Sequence, residues 1–231
     1  MYFGLSEEQQ SLEDNIKKYL EDNASLDTIK EVAGGDSAKA ENIHKGLVEL
    51  GISGLMVPEQ YGGLELDMLF ASVVSGALGA GTAPVAYAGA YVMAPMALSL
   101  GGSESQKETW LPKIAGGEAV VGIGISEYVG AREDAAITFS NKSISGRCLF
   151  VIDAKNADAY ILANKAGELY LVDAKAKGIS VTELVTVDKT RPSIELNLKN
   201  VEAELLPGSE NNQEVINKVL DAGRLMLSAD S

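Results

Sequence analysis

Between Met68 and Ser103 the chain carries no charged side chain. A run of this kind has to leave water, either across a bilayer, which takes about 20 consecutive apolar residues, or inside a fold. Gly76, Gly79, Gly81, Pro84, Gly89 and Pro95 cut it into shorter pieces, and it lacks the positive flanks that orient a membrane span. The run therefore reads as two buried helices, about 66–80 and 84–100, joined at Gly81-Thr82-Ala83-Pro84, with no membrane partner. Its small residues (Ala71, Ala77, Ala80, Ala86, Ala88, Ala90 and Ala94) let helices come close together or leave room for a ligand.

Around this run the spacing is helical. Ser6 and Gln9 have the form of a capping box, in which each side chain satisfies the other's free backbone N–H. Leu5, Leu12, Ile16, Tyr19 and Leu20 then follow one helix face, predicting a helix from Ser6 to Leu20. Asp22-Asn23 and Gly34-Gly35-Asp36-Ser37 read as loops with a weak helix between them. Ala38 to Leu50 is helical again, stopped by Gly51. Glu104 to Trp110 forms a short helix that Pro112 is expected to end.

After Pro112 the period changes. Val120 to Ile125 is short and apolar like a strand, and further strands are expected near 144–152, 158–163, 168–173, 179–186 and 193–199. Asn164-Lys165-Ala166-Gly167 reads as a hairpin connection with glycine at a positive φ. Glu210 to Leu227 returns to helix, with Val215, Val219, Leu220 and Leu225 inward. Helices followed by strands indicate an α+β fold with the two kinds of structure segregated.

A net charge of −14 argues against nucleic acid and anionic membrane surfaces as partners. The single cysteine, Cys148, excludes an internal disulfide and a cysteine-based zinc site. The single histidine, His44, next to Lys45 in a helix, reads as a surface or satisfied residue and not as a catalytic one. Met1 to Glu8 has neither a basic region nor an apolar core, so no signal peptide is expected there and the cytoplasm is the expected location. The β region holds no phosphate-binding glycine loop and no nucleophile elbow; the glycines of Gly122-Ile123-Gly124 lie in a strand and do not open a helix.

Two ordered motifs carry a family resemblance. Leu50-Gly51 through Val57-Pro58-Glu59-Gln60-Tyr61-Gly62-Gly63 is similar to "L-G-x-x-G-x-x-V-P-E-x-Y-G-G" of the acyl-CoA dehydrogenases. Gly102-Ser103, Gln106-Lys107, Leu111-Pro112-Lys113-Ile114-Ala115-Gly116-Gly117-Glu118 and Ser126-Glu127 resemble the passage that joins that family's helical N-terminal domain to its β middle domain. Val201 to Gly208 resembles its "V-x-V-P-x-x-x-L-G" exit. The resemblance implies a helical domain over 1–118, an antiparallel, barrel-like β domain over 119–208, and the start of a C-terminal helical domain over 209–231. It also implies FAD as cofactor and α,β-desaturation of an acyl-CoA thioester, as in fatty-acid β-oxidation. Electron-transfer flavoprotein is the implied acceptor, within a homo- or hetero-oligomer.

By the same resemblance the flavin site falls on Ile125, Ser126, Phe150, Val151 and Ile152. The Ser126 hydroxyl would meet the flavin pyrimidine edge, or else bond backbone at its strand end; Phe150 would offer a flat face, or else fill core. Three positions depart from the family pattern: its proline is Tyr128, the serine of its "A-G-S-D" is Arg132, and the threonine that donates near flavin N5 is Ile152. Tyr87, Ala88 and Tyr91 align with the acyl-chain wall, and Tyr87 and Tyr91 share a helix face, which also fits a filled core. The family's glutamate base lies in its C-terminal helical domain, so no catalytic residue is assigned. Three functions follow: an FAD-dependent dehydrogenase, a non-catalytic subunit paired with an active partner, and a relative that activates oxygen with reduced flavin.

Overall fold

The computed structural model describes residues 4–231; Met1 to Phe3, part of the stretch read for a leader, lie outside the described residues. Helix α1 (Glu7–Asn23) starts at the expected capping box. Ser6 Oγ accepts the Gln9 N–H at 3.2 Å, and Gln9 Oε1 accepts the Ser6 N–H at 2.9 Å. The segment expected to be weakly helical is a defined helix, α2 (Leu26–Ala33), because Ser25 caps it and Ile29 and Val32 are buried. Helix α3 (Ser37–Glu49) is capped by Asp36, and Gly51 follows it at φ +89°.

The uncharged run folds as two buried helical pieces. Helix α4 (Met68–Ala80) is the first. The second begins at Ala88 and not at 84, because Tyr87 (φ −148°, ψ −65°) lies outside helical conformation. It opens with a π-helical turn, Ala88–Met93, and continues as α5 (Ala94–Gly101). Helix α6 (Glu104–Ala115) runs through Pro112 and is not ended by it. A proline so close to a helix end removes one backbone bond and leaves the rest intact; the Gly116 N–H returns to the Pro112 carbonyl at 3.0 Å.

Eight strands among the described residues form two four-stranded sheets. One contains β1 (Val121–Gly124), β4 (Ala159–Ala163), β5 (Leu169–Asp173) and β8 (Glu204–Leu205). The other contains β2 (Ala136–Ser140), β3 (Ser143–Val151), β7 (Ile194–Glu202) and β6 (Ile179–Glu183), in the order β2-β3-β7-β6. The α+β class and its order of helices, mainly antiparallel strands and a final helix hold, but the sheets do not close into a barrel and one strand pair is parallel. The sheets stay separate, and β1 pairs with β4 in parallel, Val121 opposite Ala159. The chain leaves β1 for the β2–β3 hairpin of the other sheet before returning, so it re-enters in the same direction. The hairpin between β4 and β5 forms as expected, with Gly167 at φ +88°.

Strand alternation divides the interior. Val121, Ile123, Ile161 and Leu171 join the core shared with the helices. Tyr160, Leu162, Tyr170 and Val172 face the second sheet and pack with Ile144, Cys148, Leu196 and Leu198. Gly124 is needed between the sheets, since a Cβ there would lie 2.7 Å from Leu162 Cδ2.

Helix α7 (Gln213–Asp230) buries Val215, Val219 and Met226. Leu225, expected inward, is 44% exposed. The helix lies against α4, where Ser75 Oγ donates to the Met226 carbonyl at 2.8 Å. The close approach uses the small residues of α4: a Cβ on Gly79 would sit 2.7 Å from the Asp230 carbonyl carbon. No helix among the described residues is long and apolar enough to cross a membrane.

Candidate functional site

The ends of β1 and β3 run side by side. Ile123 and Ile152 exchange backbone hydrogen bonds of 3.1 and 3.0 Å. Between Cys148 and Val151 the register of β3 against β7 shifts in a bulge, which re-aims the side chains there. Phe150 sits in that bulge at φ +52° and is 48% exposed, so its ring faces outward and fills no core. Val151 is fully buried between the sheets and offers a neighbour only its backbone. Ser126 is 4% exposed; its hydroxyl accepts the Leu149 N–H at 2.9 Å and lies 3.5 Å from Cys148 Sγ. The hydroxyl is thus used inside the fold, fixing the bulge that carries Phe150. Ile125 is half-buried against the helical core.

The residues aligned with the acyl wall lie next to these strand ends. Tyr87 is buried and its hydroxyl donates to the Ala71 carbonyl at 3.0 Å. Tyr87, Ala88 and Ile152 share a cavity of about 210 Å³ with Ser75, Asp153 and Asp230. Tyr91 points elsewhere: it is fully buried, stacked on His44, with its hydroxyl 2.6 Å from His44 Nε2. His44 is therefore a satisfied residue, as its place in the sequence implied. Burial holds the imidazole below its usual pKa, against an opposing pull from Glu41. Burial likewise raises both Tyr87 and Tyr91.

Sequence reading missed Asp153. Its Oδ2 accepts the N–H groups of Tyr87, Gly89 and Ala90 at 3.0, 2.7 and 3.1 Å. Burial raises this carboxyl above its ordinary value, while the three N–H groups and the Arg191 charge pull it down. Arg191, also missed, spans Asp188 at 3.3 Å and Asp230 at 2.7 Å. It thereby ties the loop before β7 to the end of α7. The signal for Asp153 was available in principle, since an acidic side chain favours the N-terminus of a helix, but nothing in the spacing brings residue 153 to residue 89.

Of the residues aligned with the flavin site, Phe150 is therefore turned outward, the Ser126 hydroxyl is held inside the fold by the Leu149 N–H, and Ile152 brings no hydroxyl.

Residues 6–118 match the family model for the acyl-CoA dehydrogenase N-terminal domain, and the strands and α7 that follow align with a further part of that fold. The chain belongs to the acyl-CoA dehydrogenase family. Among acyl-CoA dehydrogenase relatives, the mitochondrial isovaleryl-CoA dehydrogenase of Pongo abelii is 27% identical over 209 residues, covering 85% of this chain. The chain spans 47% of that relative's length. An acyl-CoA dehydrogenase of Bacillus anthracis, solved in complex with FAD, aligns with a TM-score of 0.83 at 18% identity, over 98% of this chain and 42% of that one. The ChsE4–ChsE5 complex of Mycobacterium tuberculosis aligns with a TM-score of 0.73 at 18% identity, over 96% of this chain and 61% of that one. At these identities the solved structures establish the fold.

Proposed function

We propose that this chain forms the helical and β portions of an FAD-dependent dehydrogenase that desaturates an acyl-CoA between Cα and Cβ. The observation that carries this reading is the place of Ile152: it follows the outward Phe150 by two residues at the end of the strand and lines the cavity of Tyr87 and Ala88. A flat cofactor on the strand ends and an acyl chain in the cavity would then be neighbours. When bound, FAD would take up the hydride from Cβ, while the Cα proton needs a base within hydrogen-bond reach. Phe150 and the backbone of Ile125, Ser126, Val151 and Ile152 would hold the flavin, and Tyr87 and Ala88 would bound the acyl chain.

In this reading residues 1–118 are the helical unit, 119–208 the β unit and 209–231 the start of a further helical unit. The chain works in the cytoplasm as part of an oligomer, with electron-transfer flavoprotein as acceptor. A second reading, a non-catalytic subunit beside an active partner, is favoured by the inward Ser126 hydroxyl and by Ile152 in place of a hydroxyl residue. The ChsE4–ChsE5 structure, which shares the fold, is a complex of two named chains, and this supports pairing with a second chain. A visible spectrum of the purified chain, before and after adding FAD and then an acyl-CoA, separates the two. Bound flavin that bleaches on adding acyl-CoA supports the dehydrogenase. Flavin that binds without bleaching, or no binding at all, supports the subunit.

A further inference from the structure

We propose that Asp153 is a positioning residue that locks the acyl-lining end of the π-helical turn to the strand end beside the flavin surface. The inference rests on the acyl-CoA reading above and deepens it. Asp153 follows Ile152, whose backbone is fixed to Ile123 of β1, so its own position is set by the sheet. Its backbone has φ +51°, a left-handed conformation that aspartate tolerates better than most residues. From there one carboxylate oxygen collects the N–H groups of Tyr87, Gly89 and Ala90.

Helix starts leave backbone N–H groups without intrahelical partners, and an anion there is favoured by charge as well as by hydrogen bonding. The helix that starts here is of an uncommon kind. Its first turn is π-helical, and such turns cost stability and occur often at functional sites. Asp153 supplies what the turn lacks. Gly89 allows the contact, since a Cβ on it would come within 3.0 Å of Asp153 Oδ2 and 3.1 Å of Ile152 Cγ1. The wall made by Tyr87 and Ala88 is therefore registered against Ile152 through one side chain, and displacement of either element changes the cavity between them.

The test uses the full chain with Asp153→Ala, Asp153→Asn and Gly89→Ala. Amide hydrogen exchange is read at Tyr87, Gly89 and Ala90, and the affinities for butyryl-CoA and for free coenzyme A are measured in the presence of FAD. Asp153→Ala should speed exchange at the three amides at least tenfold. It should also weaken butyryl-CoA about tenfold while leaving coenzyme A unchanged, since only the acyl wall has moved. Asparagine keeps an acceptor oxygen and should restore most of both properties. Gly89→Ala, which retains the carboxylate but wedges the contact apart, should reproduce the loss even if Asp153→Ala fails to fold. Unchanged exchange, or faster exchange with acyl discrimination intact, overturns the proposal. A wild-type chain that binds neither FAD nor butyryl-CoA overturns the acyl-CoA reading itself, and leaves Asp153 as a helix cap only.

Discussion

Two glycines on α4 allow a matched test of how α7 is seated. Each gains from alanine in the same way, because glycine in a helix interior costs about 0.5–1 kcal/mol relative to alanine. They differ in what the new methyl would meet. On Gly76 it would lie 3.4 Å from the Ala229 carbonyl oxygen, an ordinary contact, whereas on Gly79 it would lie 2.7 Å from the Asp230 carbonyl carbon and 2.8 Å from its Cα. Carbon atoms rest about 3.5–4.0 Å apart, so the end of α7 would have to move by about 1 Å. Overpacking of this kind costs about 1–3 kcal/mol. The cost has a ceiling, because the last turn of α7 can lift away, giving up the Arg191–Asp230 pair, a partly exposed contact worth about 1 kcal/mol or less.

Gly76→Ala should therefore stabilise by about 0.5–1 kcal/mol, and Gly79→Ala should destabilise by up to about 2 kcal/mol. Urea unfolding followed by circular dichroism gives both values, with a common slope if the unfolded states match. If Gly79→Ala stabilised as much as Gly76→Ala, the reasoning would fail, because α7 could not then lie against α4 at the observed distance. The sign matters for the site as well, since Ser75 and Asp230, at this contact, line the cavity with Tyr87.

Three further outcomes are expected. Burial lowers the His44 pKa, so the folded protein binds this proton less readily than the unfolded chain, whose histidine titrates near 6.5. Stability should then be full above about pH 6.5, fall as pH drops below it, and level off under the folded value; subtracting the profile of His44→Gln should isolate that slope. Phe150→Ala removes an exposed ring and should change stability by no more than about 0.5 kcal/mol while weakening FAD binding severalfold, measured by flavin absorbance; unchanged binding would remove Phe150 from the flavin surface. Gly124→Ala would drive a methyl against Leu162 and Cys148 between the sheets and should cost about 1–3 kcal/mol in urea unfolding.

The helical half of the fold was legible because its cause is local. A capping box, a face repeat and a charge-free run are each written within a few residues, and Ser6, Ile16 and the buried α4 behave accordingly. The errors were also local rules meeting longer-range constraints. Pro112 was expected to end α6, yet it falls so near the helix end that its missing N–H costs only one bond. Strand content was legible, but pairing was not, since the hydrophobic character of β1 is the same whether β4 runs with it or against it.

The site shows the same division more sharply. Motif matching led to Ser126, but a motif says nothing about which way a hydroxyl turns, and here it turns to the Leu149 N–H. It led to Tyr87 and Tyr91 as a pair on one face, but the π-helical turn sends Tyr91 to His44 and leaves Tyr87 and Ala88 at the cavity. Asp153, next to the departure at Ile152, was missed. In the fold it joins that strand to the helix wall, so the two positions belong to one unit. Ile152 gives up a hydroxyl where the family pattern has one, and its neighbour fixes the helix that Ile152 faces. Any change in flavin or acyl binding traced to Ile152 therefore has to be measured together with the register that Asp153 sets.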